Sequence, residues 1–276
     1  MRLQTAVSLT NMDVFASAQV LADLARDAEQ AGWDDVFVWD SLYNKQRDPR
    51  NNDTGDPWIA LAAIVLQTQR IRIGTLITPI ARRRPWKLAR ETVTLDHLSN
   101  GRIVLPVGLG AVDDGGFSKV GESLERKARA QRFDEGLAIL DGLWSGEPFS
   151  FAGDHFQLEE IAFLPRPLQS PRIPVWVVAA WQWPKSIQRS VQWDGVLPFN
   201  LSLEGENLAA GGYAIAGGLS PEDVREIAAY GEEHRNTRGK FDIVLEGITP
   251  GDDTLAGGEI LQPYSEAGAT WRIEAV

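Results

Sequence analysis

The stretch Pro85–Gly110, PWKLARETVTLDHLSNGRIVLPVGLG, contains a complete helix, turn and strand of the predicted fold. Proline is favoured at the first helical position, so a helix is predicted to begin at Pro85 and to run to Ser99. Asn100-Gly101 then turns the chain, because both residue types accept the left-handed conformation that ends helices. Ile103–Val107 is predominantly apolar and is predicted to be a buried strand.

The same order of strand and helix continues on both sides of this stretch. Asp56-Pro57 and Ser220-Pro221 are further helix starts, since each joins a capping side chain to a proline at the first helical position. Strands that alternate with helices form parallel sheets, and eight such units in about 250 residues predict a TIM (β/α)8 barrel. The predicted strands are Leu3–Leu9, Asp35–Trp39, Ile71–Ile77, Ile103–Val107, Val175–Val178, Gly195–Leu197, Phe241–Leu245 and Ala269–Ile273.

Two segments depart from the regular alternation. Pro148–Pro174 carries aromatic residues between prolines and is predicted to form a small hairpin before the fifth strand. No helix follows the eighth strand, so the last helix of the barrel is expected to be missing. Because exposed apolar faces rarely persist in monomers, a homodimer or higher homo-oligomer is expected to cover this region. Residues 1–276 are interpreted as one domain.

The composition excludes several classes of function. The formal net charge is −11, and the chain has no basic tail with which to bind nucleic acid or an anionic membrane surface. The absence of cysteine excludes disulfides, thiolate metal sites and cysteine nucleophiles. With only His97, His155 and His234 in the chain, no metal site is expected. The N-terminus lacks the apolar core of a signal peptide, so a cytoplasmic location is expected.

Several motifs, taken in order, carry a resemblance to a known family. They are Ala28–Asp34 with Val38–Asp40, Arg70–Pro79, Thr94–Arg102 with Gly108–Gly110, Arg132–Leu137, Leu143–Gly146 and Ala267–Trp271. Together they resemble the luciferase-like family of flavin-dependent oxidoreductases. The resemblance implies a TIM-barrel enzyme that uses either reduced FMN with oxygen or 8-hydroxy-5-deazaflavin (coenzyme F420).

Asp40 and Ser41 follow the second strand, and the active sites of TIM barrels lie at the C-terminal ends of the strands. The resemblance implies that Asp40 contacts the coenzyme ring and that Ser41 replaces a histidine acid or base found in many members. A hydroxyl without an activating neighbour is a poor base at neutral pH, so a proton acceptor is expected from Asp40 or Asp113. Asp40 and Ser41 are the predicted catalytic residues. The alternative is that Asp40 only caps its loop.

Two further strand ends are predicted to bind the coenzyme ring. Thr75 and Leu76 end the third strand, where the resemblance implies a non-prolyl cis peptide bond beneath the ring. Gly108, Leu109 and Gly110 end the fourth strand, where the glycines allow the backbone to approach a ring closely. Ala111 stands where relatives that oxidise sugar phosphates carry a glutamate acid, which argues against that reaction.

The loop after the fifth strand is predicted to bind the coenzyme phosphate. The resemblance implies that backbone amides at a helix N-terminus hold the phosphate, which agrees with the positive end of the helix dipole. The predicted contacts come from Ala180, Trp181, Lys185 and Ser186; the tryptophans here either line the pocket or fill it.

Other charged residues receive structural interpretations. Arg82–Arg84 is a basic run at a helix start, where it either binds an anion or is simply solvated, although this end of a helix disfavours cations. Arg102 is predicted to pair with Asp96.

The first functional hypothesis is a monooxygenase that acts on a small organic molecule and receives reduced FMN from a separate flavin reductase. The alternative is a deazaflavin-dependent dehydrogenase or reductase. A hypothesis of another class is a flavin-binding or vestigial barrel with little turnover, since the usual histidine is absent at Ser41. Substrate specificity is expected to reside in Tyr43–Gly55, Ala111–Gly121 and Leu197–Gly218.

Overall fold

The computed structural model describes residues 2–44, 47–112, 115–200, 218–235, 239–250 and 254–275, without the side chains of 254–256. Its chain forms two compact units. The central unit comprises Leu9–Gly32 and Val36–Ile173, and the C-terminal unit comprises Met1–Ser8, Trp33–Asp35 and Pro174–Val276. The interpretation of residues 1–276 as one domain stays a prediction.

The described residues form eleven strands and seven α-helices. The strands are β1 (Gln4–Leu9), β2 (Asp35–Val38), β3 (Arg72–Thr75), β4 (Thr78–Pro79), β5 (Leu105–Gly108), β6 (Pro148–Ala152), β7 (Gln157–Ala162), β8 (Val175–Ala180), β9 (Gly195–Phe199), β10 (Asp242–Gly247) and β11 (Trp271–Ala275). The helices are α1 (Ala18–Ala31), α2 (Pro57–Gln67), α3 (Pro85–Ser99), α4 (Arg126–Trp144), α5 (Pro184–Ser190), α6 (Pro221–His234) and α7 (Thr254–Glu266).

Local capping groups set several helix bounds where the sequence predicts them. The Asp56 side chain accepts a backbone N–H at the start of α2, and Pro85 opens α3. Asn100 ends α3 in the left-handed conformation, with φ 57°. Ser220 and Asp223 form a reciprocal capping box at the start of α6. These boundaries are confirmed. They could be predicted because each depends only on residues close in sequence.

In the central unit, the strands that lead to the predicted site lie side by side. β3 is adjacent to β2, and the Leu76 N–H donates to the Val38 carbonyl at 2.8 Å. Ile73 of β3 bridges in parallel to Ile103, shortly before β5, and β4 pairs in parallel with β5. The predicted hairpin is also present, as the antiparallel pair β6 and β7.

In the C-terminal unit, the strands follow one another in the order β1, β11, β10, β9, β8, and every pair is parallel. One face of these strands packs beneath α5, α6 and α7. The buried residues of this packed face are Ala179, Ile187, Val196, Leu219, Val224, Ile227, Ile243, Leu245, Ala267 and Ala269. Because side chains alternate along a strand, the residues between them point to the opposite face.

The structure corrects the sequence prediction at several places in the C-terminal unit. Four strands, β8, β9, β10 and β11, each extend two residues beyond their predicted ends, to Ala180, Phe199, Gly247 and Ala275. Helix α7 was not predicted, because Gly257-Gly258 and Pro263 oppose helix formation. Its formation in spite of them indicates that tertiary packing outweighs the local preference.

The predicted pairing of Arg102 with Asp96 is wrong. Arg102 donates to the Ile71 carbonyl at 2.7 Å and to both the hydroxyl and the carbonyl of Thr68. Asp96 instead accepts the Leu168 N–H at 2.6 Å. Arg102 therefore holds the segment that follows α2, and Asp96 of α3 holds the loop that contains Leu168.

None of the helices in the described part of the chain combines the length and the apolar character that crossing a membrane requires. Among the same residues, no group of three or more histidine, aspartate or glutamate side chains lies close enough together to hold a metal ion.

Glu29 joins the end of α1 to the chain segment that enters β3. Its carboxylate accepts the N–H groups of Gln69, Arg70 and Ile71 at 2.6–3.1 Å. Burial opposes ionisation, but these three donors together lower the pKa of Glu29 below its ordinary value of 4.5. A lowered pKa means that this interaction stabilises the fold above pH 4.5, and that the stabilisation disappears as the pH falls through the lower folded value.

Glu29→Gln is therefore expected to reduce the free energy of unfolding at pH 7 by about 1–2 kcal/mol, because the charged acceptor is lost. Urea denaturation at several pH values measures this, and the difference from wild type should shrink below pH 4.5. Asp27→Asn, at a side chain 64% exposed on the same helix, is the matched control. Equal losses for both variants at pH 7 would contradict the prediction.

Candidate active site

Three sets of predicted site residues lie at one edge of the central unit. Asp40 and Ser41 follow β2, Thr75 and Leu76 lie at the end of β3, and Gly108–Gly110 lies at the end of β5. The carboxyl ends of neighbouring parallel strands meet at one edge of a sheet, which is where ligands bind in α/β folds. The structure therefore brings these three sets together, as the sequence analysis predicts.

Asp40 is held by two arginines. The Arg83 guanidinium donates to both Asp40 carboxylate oxygens at 2.6 Å, and Arg82 donates to Oδ1 at 3.2 Å. Arg82 also donates to the Asp40 backbone carbonyl. The Asp40 side chain is 3% exposed, and those of Arg82 and Arg83 are 7% and 21% exposed. The interpretation of these two arginines as a solvated basic stretch is therefore wrong; the three residues form a buried ion cluster.

This cluster limits what Asp40 can do chemically. Both of its oxygens accept charge-assisted hydrogen bonds, which are roughly twice as strong as neutral ones. A carboxylate so engaged is suited to positioning a ligand or fixing the local charge. The neighbouring Ser41 is held through its backbone carbonyl, which accepts from Asn11 Nδ2 at 2.8 Å. Asp113, the other proton acceptor that the sequence suggested, lies outside the described residues.

At the end of β3, the peptide bond between Leu76 and Ile77 is cis. It lies one residue beyond Thr75-Leu76, where the resemblance implied such a bond. Leu76 is buried, and the Thr75 hydroxyl forms a hydrogen bond with the Thr78 hydroxyl.

The Gly108–Gly110 segment is held by Arg129, which donates to the carbonyls of Leu109 at 3.1 Å and Gly110 at 2.8 Å. Gly110 has φ 77°, and a Cβ there would lie 2.7 Å from Pro79 and 2.8 Å from Phe117. The internal packing of the protein therefore requires this glycine. The sequence analysis had attributed it to close approach of a ring.

A pocket with a volume of about 450 Å³ opens beside Asp40 and Ser41. Its wall includes Thr54 and Gly55 from one predicted specificity loop, Leu42 just before that loop, and Gly116 and Val120 from another predicted specificity loop. The remaining lining residues are mostly charged or polar: Asp56, Pro57, Arg82, Arg83, Arg84, Lys87, Leu88, Glu91 and Glu122. The third loop that was expected to set specificity, Leu197–Gly218, lies mostly outside the described residues.

Two buried donors near this pocket have no hydrogen-bond partner within the described residues: Arg83 Nε and Trp58 Nε1. The Arg83 guanidinium lies 5.8 Å from the centre of the Trp58 ring system. Unsatisfied buried donors are costly, so this corner of the unit is suited to a ligand that carries carbonyl, carboxylate or phosphate oxygens.

The predicted phosphate loop lies in the C-terminal unit and differs from expectation. Helix α5 has only seven residues. Most of the backbone amides of its first turn are already used: Trp183 N–H donates to the Ala180 carbonyl, and the N–H groups of Ser186 and Ile187 donate to the Trp183 carbonyl. The Ala180 N–H donates to Ser186 Oγ at 3.1 Å. An anion at this loop would therefore depend on side chains.

The side chains of this loop divide into two groups. Trp181 packs edge-on against Tyr230 of α6, with ring centroids 6.4 Å apart, and so belongs to the packed face. Trp183 is 46% exposed, and Lys185 is exposed. Lys185 and the Ser186 hydroxyl are therefore the donors available to a phosphate group.

Comparison with solved structures first identifies the class of fold. The chain matches an F420-dependent secondary alcohol dehydrogenase, solved with an F420–acetone adduct, with a TM-score of 0.78 and 17% sequence identity. The match covers 100% of this chain and 93% of that one. The predicted TIM barrel is therefore confirmed.

Comparison of sequences then identifies the family. A family model described as luciferase-like monooxygenase matches residues 3–245, so the chain belongs to the luciferase-like family. The F420-dependent glucose-6-phosphate dehydrogenase of Nakamurella multipartita is 34% identical over 164 residues, 58% of this chain and 46% of that protein. The 4-hydroxyprotoasukamycin monooxygenase of Streptomyces nodosus subsp. asukaensis is 29% identical over 189 residues, 68% of this chain and 46% of that protein. The matched region thus spans about half the length of these relatives.

Asp40→Asn is expected to reduce the free energy of unfolding by about 3 kcal/mol, because two buried guanidinium groups lose their counter-charge. Chemical denaturation measures the loss. Asp48→Asn is the matched control, since Asp48 is 50% exposed and its partner Arg50 is 90% exposed; such surface pairs contribute at most about 1 kcal/mol. Similar losses for both variants would contradict the assignment of a buried cluster.

Proposed function

We propose that this protein is an oxidoreductase that transfers a hydride between a deazaflavin coenzyme and a small oxygen-bearing organic substrate. The observation that carries the proposal is membership of the luciferase-like family together with 34% identity to a dehydrogenase whose name specifies F420. This reverses the order of the two enzyme hypotheses from the sequence, which placed reduced FMN first.

The residues present fit such a coenzyme in part. Leu76 and Leu109 offer apolar contacts, and the clamped carboxylate of Asp40 offers a fixed negative group at the same edge. Lys185 and Ser186 would hold the phosphate through their side chains. When bound, the deazaflavin ring accepts or donates a hydride, which carries both electrons of the reaction.

The substrate is proposed to bind in the pocket beside Asp40. Its volume of about 450 Å³ is within the usual range for small-molecule sites. The unpartnered donors Arg83 Nε and Trp58 Nε1 favour a substrate that presents oxygen acceptors. A glucose phosphate is not proposed, because Ala111 stands where the resemblance places a glutamate acid.

A second candidate is the monooxygenase hypothesis with reduced FMN and a separate flavin reductase. It is favoured by 29% identity over 68% of this chain to a named monooxygenase. For either activity, we also propose a cytoplasmic homo-oligomer. Light scattering of the purified protein measures the oligomeric state, and a monomer at micromolar concentration would contradict it.

Absorbance and fluorescence titrations with the deazaflavin coenzyme and with FMN test the proposed function. We expect the deazaflavin coenzyme to bind at micromolar concentration and, in its reduced form, to be oxidised by a carbonyl compound without oxygen consumption. Cyclohexanone and cyclohexenone serve as probes. Oxygen uptake with reduced FMN, and no reaction of the deazaflavin, would favour the monooxygenase. Binding of a coenzyme without turnover would favour the vestigial barrel.

A further inference from the structure

The pocket beside Asp40 lies within the central unit, since every residue of its wall belongs to that unit. The cations of the wall are Arg82, Arg83, Arg84 and Lys87. The first two hold Asp40, and the Lys87 ammonium contacts the Glu91 carboxylate at 2.6 Å. Among the residues that the structure describes, the Arg84 side chain forms no ion pair and no hydrogen bond.

The remaining carboxylates of the pocket wall are engaged elsewhere. Asp56 accepts the Ile59 N–H at 3.0 Å as the cap of α2. Glu122 contacts Arg132, which lies outside the wall, at 2.8 Å. The charge of Arg84 is therefore not met by any carboxylate of this wall. In a chain with a net charge of −11, the field of the whole protein disfavours anions, so an anionic ligand would depend on such a local cation.

The position of Arg84 suits it to an anionic acceptor. Its guanidinium carbon lies 5.9 Å from the centre of the Trp86 ring. A contact with an aromatic face restrains a guanidinium without using an oxygen acceptor, so its N–H groups stay available. Arg84 is also the residue before α3, where no side chain caps the helix and the first turn contains no acid. The start of a helix adds a field that favours an anion.

We propose that Arg84 binds a carboxylate group of the substrate, so that the substrates are carbonyl compounds that carry a carboxylate. This inference rests on the proposed function and extends it, because hydride transfer alone requires no charge on the substrate. Arg83 supports an oxygen-bearing ligand at the same wall, since its buried Nε has no acceptor among the described residues and such a donor is costly.

A carboxylate fits this wall better than a phosphate group does. The planar fork of a guanidinium matches the two oxygens of a carboxylate, and one cation without a counter-charge balances one negative charge. A phosphate monoester carries a charge of about −1.5 to −2 at neutral pH. Its excess negative charge would face the carboxylates of Asp40, Asp56, Glu91 and Glu122 on the same wall.

Calorimetric titration without coenzyme tests the binding of the carboxylate. We expect 4-oxocyclohexanecarboxylate to bind wild type at millimolar concentration or below, and inorganic phosphate to bind more weakly. Arg84→Gln should weaken carboxylate binding about tenfold, as expected for loss of a charge-assisted hydrogen bond. Arg84→Lys should lie between the two, because it keeps the charge without the fork.

Arg166→Gln is the matched control for the titration, since Arg166 is exposed in the same unit and lies outside the pocket wall. It removes the same charge and should bind the carboxylate as wild type does. Three results would each overturn the inference: no binding of the carboxylate by wild type, tighter binding of phosphate than of the carboxylate, or equal affinities of Arg84→Gln and Arg166→Gln.

Turnover of a matched pair of ketones separates this inference from the proposed function. Cyclohexanone and 4-oxocyclohexanecarboxylate share the ring and the carbonyl group and differ in the carboxylate. In the coenzyme-loaded wild type, kcat/KM should be about tenfold higher for the oxo acid, mainly through a lower KM, because the carboxylate is remote from the reacting carbon. Arg84→Gln should abolish this preference, and Arg166→Gln should keep it.

The outcomes of the two experiments are distinct. Turnover of both ketones by wild type with equal kcat/KM would overturn this inference and leave the proposed function standing. No turnover of either ketone would contradict the proposed function, whereas the titration would still decide whether Arg84 binds a carboxylate.

Discussion

In a parallel sheet that helices cover, alternate side chains of each strand face two different environments. This constraint decides which strand residues must be apolar and which can be polar. Ile243 and Leu245 contribute to the apolar layer beneath the helices of the C-terminal unit. The residues that alternate with them point away from this apolar layer, and at the carboxyl end of a strand such residues can be polar. Glu246 occupies such a position. Arg272 does not, and its charge is instead engaged by Glu274 on the packed face.

The central unit places its charges under a different constraint. A buried carboxylate needs partners that replace its hydration, and Asp40 obtains them from Arg82 and Arg83. Cations are disfavoured at a helix start, but the counter-charge of Asp40 explains why these two arginines precede α3. The same contacts tie the loop after β2 to the segment before α3, and so shape one wall of the pocket. Binding geometry and local stability therefore depend on the same three side chains.

Features that depend on neighbours in sequence were predictable. The starts of α2, α3 and α6 follow from Asp56, Pro85 and Ser220, because each cap acts within one turn. Features that depend on distant partners were not. The arginines that clamp Asp40 lie more than forty residues away from it, and α7 forms although Pro263 opposes it. β10 continues two residues beyond its predicted end, because the end of a strand depends on its pairing with a neighbour, here β11.

The departures of this chain from its relatives have a common chemical consequence. Reducing a carbonyl compound requires a proton as well as a hydride, and a serine hydroxyl at position 41 cannot supply that proton at neutral pH without an activated neighbour. The carboxylate nearest to Ser41 in sequence, Asp40, is engaged by two guanidinium groups. Its role in either proposed reaction is therefore to fix the local charge beside the pocket, and the proton must come from a group other than these two.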